Sequence, residues 1–200
     1  MLYMSMNKKR VYIIHGWGFK PKQNWYPWLK EKLEKEGFEV FAPQMPDSDE
    51  PKIEAWVDRL EGIVGKPDEQ TYFAGHSIGC QTILRYLEKQ DQKVGGVVCV
   101  AGWFNLAGLE EEGEEVVDIA RPWIETPIDF GKVKHIAPKI KVILSDNDPY
   151  GFVEENKKIF EEKLGAKVTI LKNKGHFTEV DGIIEFPEVL AEFLKLAASR

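Results

Sequence analysis

Cysteine is scarce in this chain of 200 residues, histidine nearly as scarce, and basic residues hold no majority. The two cysteines, Cys80 and Cys99, sit in apolar segments with no metal-ligand spacing around them. That argues against a disulfide framework or a thiolate-held zinc, and both read as reduced core residues. Lys and Arg number 27 against 33 Asp and Glu, a formal charge of −6 with the two signs interspersed. Nucleic acid and anionic membrane are therefore not expected as partners. No apolar run is long enough to span a bilayer, so membrane insertion is not expected either. The first ten residues, MLYMSMNKKR, hold no apolar stretch of signal-peptide length. A cytoplasmic, reducing location is the expectation. There is no internal repeat and no low-complexity tract.

What is there is an alternation. Short runs rich in Val and Ile predict strands at Arg10–His15, Phe38–Ala42, Thr71–Ala74, Gly96–Ala101, Ile140–Leu144 and Lys167–Leu171. Most are continuous apolar runs, the pattern of strands covered on both faces in a parallel sheet. Amphipathic segments between them predict helices at Trp25–Glu36, Pro51–Val64, Ile78–Lys89, Val153–Leu164 and Pro187–Ala198. Repeated βα units with right-handed crossovers imply an α/β fold: three layers, about six mostly parallel strands, helices on both faces. Residues 1–200 are expected to form one domain, able to bury roughly 70% of its unfolded surface. One segment breaks the alternation. Trp103–His135 carries an acidic run and several prolines, and is expected to be an irregular, lid-like connection.

The chemistry centres on Gly75-His76-Ser77-Ile78-Gly79, which follows one predicted strand and opens a predicted helix. A serine at such a turn is pushed into the open, and glycines on either side keep strand and helix from clashing. A nucleophilic serine needs a base, and the base needs an acid to orient it. In this kind of fold the order along the chain is Ser, then acid, then His. Two histidines follow Ser77. His135 lies in the irregular segment, with no strand end to position it. His176 lies just past the last predicted strand, on the edge where open α/β sheets bind ligands, and is the expected base. The acid should follow the preceding strand, where Asp146 and Asp148 both stand; spacing does not separate them. Backbone N–H groups of Ile78, after the nucleophile, and of Trp17, in the His15-Gly16-Trp17-Gly18 loop after the first strand, are the expected oxyanion donors.

These motifs resemble the α/β-hydrolase superfamily. More narrowly, the chain is similar to the small serine hydrolases grouped with retinoblastoma-binding protein 9 and the bacterial YdeN-like proteins. The resemblance is carried by Gly75–Gly79, Met45-Pro46-Asp47, Arg121-Pro122-Trp123, Asp148-Pro149-Tyr150 and Gly175-His176-Phe177. It implies Asp148 as the acid, with Asp146 shaping the loop. It also implies a compact hydrolase with a reduced lid, no large cap and esterase-like activity. Where the retinoblastoma-binding member has a Pro-Gly-Asn-Gly loop, this chain has His15–Gly18, the form common in esterases and lipases. No Leu-x-Cys-x-Glu occurs, so nothing supports a pocket-protein binding role.

The expected activity is hydrolysis of a small ester or amide through an acyl-enzyme on Ser77. This chemistry needs no metal and no cofactor. His15, Trp103, Phe104, Trp123 and Phe152 are the expected pocket residues, suited to an apolar acyl or aryl group. The alternatives are a hydrolase-like binding module without turnover and an aminopeptidase-type amidase using the same triad.

Overall fold

The computed structural model describes residues 8–198. The reading of residues 1–10 as lacking a leader therefore lies largely outside the described residues. Among the described residues six strands run in chain order: β1 (Arg10–Ile14), β2 (Glu39–Phe41), β3 (Thr71–His76), β4 (Gly96–Val100), β5 (Ile140–Ser145) and β6 (Lys167–Leu171). All five pairings are parallel, in the order β2-β1-β3-β4-β5-β6. Among the helices are α1 (Tyr26–Lys35), α2 (Ile53–Val64) and α3 (Ile78–Leu87). The others are α4 (Leu109–Glu112), α5 (Glu114–Glu125), α6 (Phe130–Ile136), α7 (Val153–Leu164) and α8 (Pro187–Ala198).

The strands alternate their side chains between two cores, because successive residues of a strand point to opposite faces. Val11 and Ile13 of β1 pack with Trp25, just before α1, with Leu29 of α1, and with Val189 and Phe193 of α8. Tyr12 and Ile14 pack with α2, α3 and α7, against Trp56, Ile83 and Phe160. The expected three-layer α/β architecture is what the sheet and its helices form. The sheet edges depart from the expected burial. β6 stands at one edge of the sheet, and its residues are exposed or half-buried. β3 runs two residues further than predicted. Gly75 pairs with Cys99 and His76 with Val100, so the ladder holds the glycine in strand geometry.

The segment expected to be irregular, Trp103–His135, holds α4, α5 and most of α6. In α5, Ala120 and Trp123 are buried, while Glu114, Glu115 and Arg121 face water. The acidic run forms the exposed starts of α4 and α5, where carboxylates suit the helix dipole. Pro122 stands inside α5, and Thr126 N–H closes the helix onto its carbonyl.

Because every strand runs the same way, all carboxyl ends open on one edge of the sheet. Residues after β1, β3, β4, β5 and β6 are gathered there, which sets the place of the site.

Candidate active site

Ser77 is the single residue between β3 and α3, at φ 53° and ψ −123°, a combination non-glycine residues rarely adopt. Two glycines make the turn possible. A Cβ on Gly79 would lie 2.4 Å from the Ile14 carbonyl oxygen, and one on Gly75 would lie 2.8 Å from the Cys80 backbone. The turn is pinned where Ser77 N–H donates to the Val100 carbonyl at 2.9 Å. Ile78 opens α3, so its N–H is among the first four of that helix, which find no partner within it. In the loop after β1, Gly16 N–H donates to the Tyr26 hydroxyl and Gly18 N–H to the Ser48 carbonyl. The Trp17 N–H between them takes no acceptor among the described residues.

His176 follows β6 and is held at the Nδ1 edge of its ring and through its own backbone. Its Nδ1 lies 2.9 and 3.1 Å from the two carboxylate oxygens of Asp148. A carboxylate only accepts, so Nδ1 carries the proton and Nε2 is left with its lone pair. The Asp181 carboxylate takes His176 N–H at 3.0 Å and Thr178 N–H at 2.9 Å. The loop after β5 is laced to the same turn: Asp146 accepts from Asn173 N–H, Ser145 from Lys174 N–H and Asn147 from Gly175 N–H. Of the two competing aspartates, Asp148 touches the His176 ring, and Asp146 fastens the neighbouring loop.

Ser77 and His176 line one cavity of about 420 Å³. Trp17, Phe19, Trp103 and Tyr150 supply aromatic walls, and Leu109, Val116 and Ile119 reach it from α4 and α5. The Trp103 indole N–H donates to Ser77 Oγ at 3.2 Å. Among the described residues, no three His, Cys, Asp or Glu side chains gather as a metal site.

Compared with known protein families, residues 11–195 match the serine hydrolase family. The chain belongs to that family. It is 30% identical to the YdeN protein of Bacillus subtilis (strain 168), over 90% of this chain and 92% of YdeN. It is 28% identical to the serine hydrolase RBBP9 of Rattus norvegicus, over 84% of this chain and 85% of RBBP9. The crystal structure of the B. subtilis ydeN gene product superposes with a TM-score of 0.85, covering 96% of this chain and all of that one, at 29% identity. Est1E from Butyrivibrio proteoclasticus has a TM-score of 0.72 at 14% identity, over 96% of this chain and 89% of Est1E, which shows a shared fold.

Within this serine hydrolase, Trp17 and Trp103 line the cavity, but the other expected pocket residues are elsewhere. His15 is buried behind the loop. Its Nδ1–H donates to the Gly16 carbonyl and its Nε2 accepts Met45 N–H, which ties the β2–α2 loop to the end of β1. Phe104 packs against Phe130 and Phe160. Trp123 packs on Trp56 and donates to the Pro51 carbonyl. Phe152 is 42% exposed and precedes α7 in left-handed backbone. His135 is exposed on α6 and does not line the cavity.

One residue inside the motif itself escaped the sequence reading. His76 is fully buried beneath the site. Its Nε2 donates to the His176 carbonyl at 2.7 Å, an oxygen that can only accept. Its Nδ1 therefore accepts from the Tyr26 hydroxyl, whose own acidity is suppressed by burial. A chain of bonds thus runs from the Gly16 loop through Tyr26 and His76 to the backbone of His176. The chain order of serine, acid and histidine passes over His76, which precedes Ser77. The signal for His76 was its place at a strand end, between residues that had to be buried.

Proposed function

We propose that this serine hydrolase is a carboxylesterase acting on small esters, with Ser77 as nucleophile, His176 as general base and Asp148 as its orienting acid. One observation carries the reading. A serine in a strained strand-to-helix turn shares a cavity with a histidine whose far nitrogen is bonded to a half-buried aspartate. His176 Nε2 takes the Ser77 proton as Oγ attacks the ester carbonyl. Asp148 holds the imidazole in the tautomer that can do so and stabilises the imidazolium. Charge that develops on the carbonyl oxygen is met by the Trp17 and Ile78 N–H groups, with the N-terminus of α3 adding its dipole. His176 then protonates the departing alcohol, and water repeats the sequence on the acyl-enzyme. A cavity of about 420 Å³ with aromatic walls supports a short acyl or aryl group.

The test is labelling with a fluorophosphonate, wild type beside Ser77→Ala, followed by mass spectrometry of the modified peptide. An adduct on Ser77 in the wild type alone is expected. No adduct from folded wild type would remove this reading and favour a binding module without turnover. A panel of esters and aminoacyl amides then separates the esterase from an amidase with the same residues.

A further inference from the structure

Three buried polar side chains take no part in the reaction just described; two bond the segment after β4 directly and the third bonds one of those two. Gln81 and Arg85 lie on α3 and Asn156 on α7, and each is 3% exposed or less. Arg85 donates to Gln81 Oε1 from both Nε and Nη2, at 3.3 and 3.1 Å. Since a guanidinium only donates, this fixes which end of the Gln81 amide faces it. The amide nitrogen is left facing the Trp103 carbonyl, to which it donates at 3.2 Å. Arg85 is itself anchored on the Trp123 and Thr126 carbonyls, at 3.0 and 2.8 Å. On the other side, the Asn156 side chain accepts Phe104 N–H at 2.7 Å and Asn105 N–H at 3.1 Å, and returns a bond to the Asn105 carbonyl. Gly102 lets this segment lie against α3; a Cβ there would meet the Phe160 ring at 2.8 Å and Cys80 at 3.3 Å. The Trp103 carbonyl is thus held by Gln81 and the two residues after it by Asn156, and the Trp103 indole N–H reaches Ser77 Oγ.

We propose that Trp103 is a catalytic residue whose indole N–H stabilises the Ser77 oxygen whenever that oxygen carries charge, with Gln81, Arg85 and Asn156 as its positioning residues. The inference rests on Ser77 being the nucleophile. An indole nitrogen donates and never accepts, so its bond occupies one lone pair of Oγ and leaves the hydroxyl proton for His176 Nε2. In acylation the Oγ–H bond breaks, the proton passes to His176, a lone pair of Oγ bonds the carbonyl carbon, and the carbonyl π pair moves to its oxygen. In deacylation Oγ departs with the bonding pair and takes a proton back from His176. Negative charge builds on Oγ in both steps, and a donor in a water-poor site stabilises it there more than it stabilises the resting hydroxyl. The indole proton stays on its nitrogen throughout.

The experiment compares wild type with Trp103→Phe and with a variant carrying benzothienylalanine at 103, which keeps the two-ring shape and replaces N–H by sulfur. Fluorophosphonate labelling rates and p-nitrophenyl acetate kinetics are measured for each. Both variants should label about 10- to 100-fold more slowly and lose kcat by a similar factor, with KM within about twofold. Labelling at the wild-type rate, or faster, would overturn the proposal. So would a slow Phe variant beside a normal benzothienylalanine protein, because shape and not the N–H would then be at work. A wild type that does not label at all would instead remove the reading of Ser77, a distinct result.

Discussion

Asp148 and Asp146 stand two residues apart and accept hydrogen bonds from different partners. Asp148 holds the His176 ring, whereas Asp146 holds the backbone of Asn173. On the proposed mechanism, Asp148→Asn should lower kcat about 10⁴-fold, the size of the same change in a well-studied protease triad. Asp146→Asn should cost far less, because an amide oxygen can still accept Asn173 N–H. Steady-state kinetics on one ester decides it, and a reversal of the two effects would reassign the acid. The contrast also shows what a sequence can say about single residues. Ser77 and His176 could be picked out because strand ends and glycines surround them. The choice between the aspartates depends on where a side chain points within one loop, and there only the family resemblance spoke. Phe104, Trp123 and Phe152 are aromatic residues in the right part of the chain. Two of them serve the core and one faces water, because position along a chain does not fix the direction of a ring.

At the scale of elements, the 3.6-residue and two-residue periods were enough to find the strands and the helices α1, α2, α3, α7 and α8. They missed α5, where the acidic run and Pro122 masked an apolar face made by few residues. They also stopped β3 short, since a glycine looks like a break until its ladder partner is known. Glycines allow a sharp test of this level. Gly79 meets the Ile14 carbonyl with no room for a side chain. Gly62, exposed in the last turn of α2, has open space around it. Gly79→Ala should destabilise the protein by about 3 kcal/mol or prevent folding, by overpacking against backbone that cannot move. Gly62→Ala should stabilise it by about 0.5–1 kcal/mol through lower backbone entropy in the unfolded chain. Urea midpoints for the two proteins should therefore move in opposite directions.

For the molecule as a whole, two buried histidines link stability to pH. Burial holds His76 well below the usual imidazole range, with His176 beside it as a lesser cause. Burial also lowers His15. Each accepts a hydrogen bond that a protonated ring could not, His76 from Tyr26 and His15 from Met45. The unfolded chain takes up these protons near pH 6.5 while the folded chain resists them, so their contribution is intact above that pH and falls below it. Denaturation midpoints should decline between pH 6.5 and 5, by at most about 1.4 kcal/mol per pH unit for each histidine. A flat profile over that window would contradict the neutral, buried state of both rings. The bond from His76 to the His176 carbonyl has a further consequence, since it joins residues 100 apart in the chain. A nascent chain leaving the ribosome completes β3 and the Ser77 turn long before β6 exists. On the proposed mechanism, stalled or truncated products would carry Ser77 without its base and be chemically silent. Hydrolysis would then begin only when the last strand has been laid down, so the appearance of activity during synthesis would report that the sheet is whole.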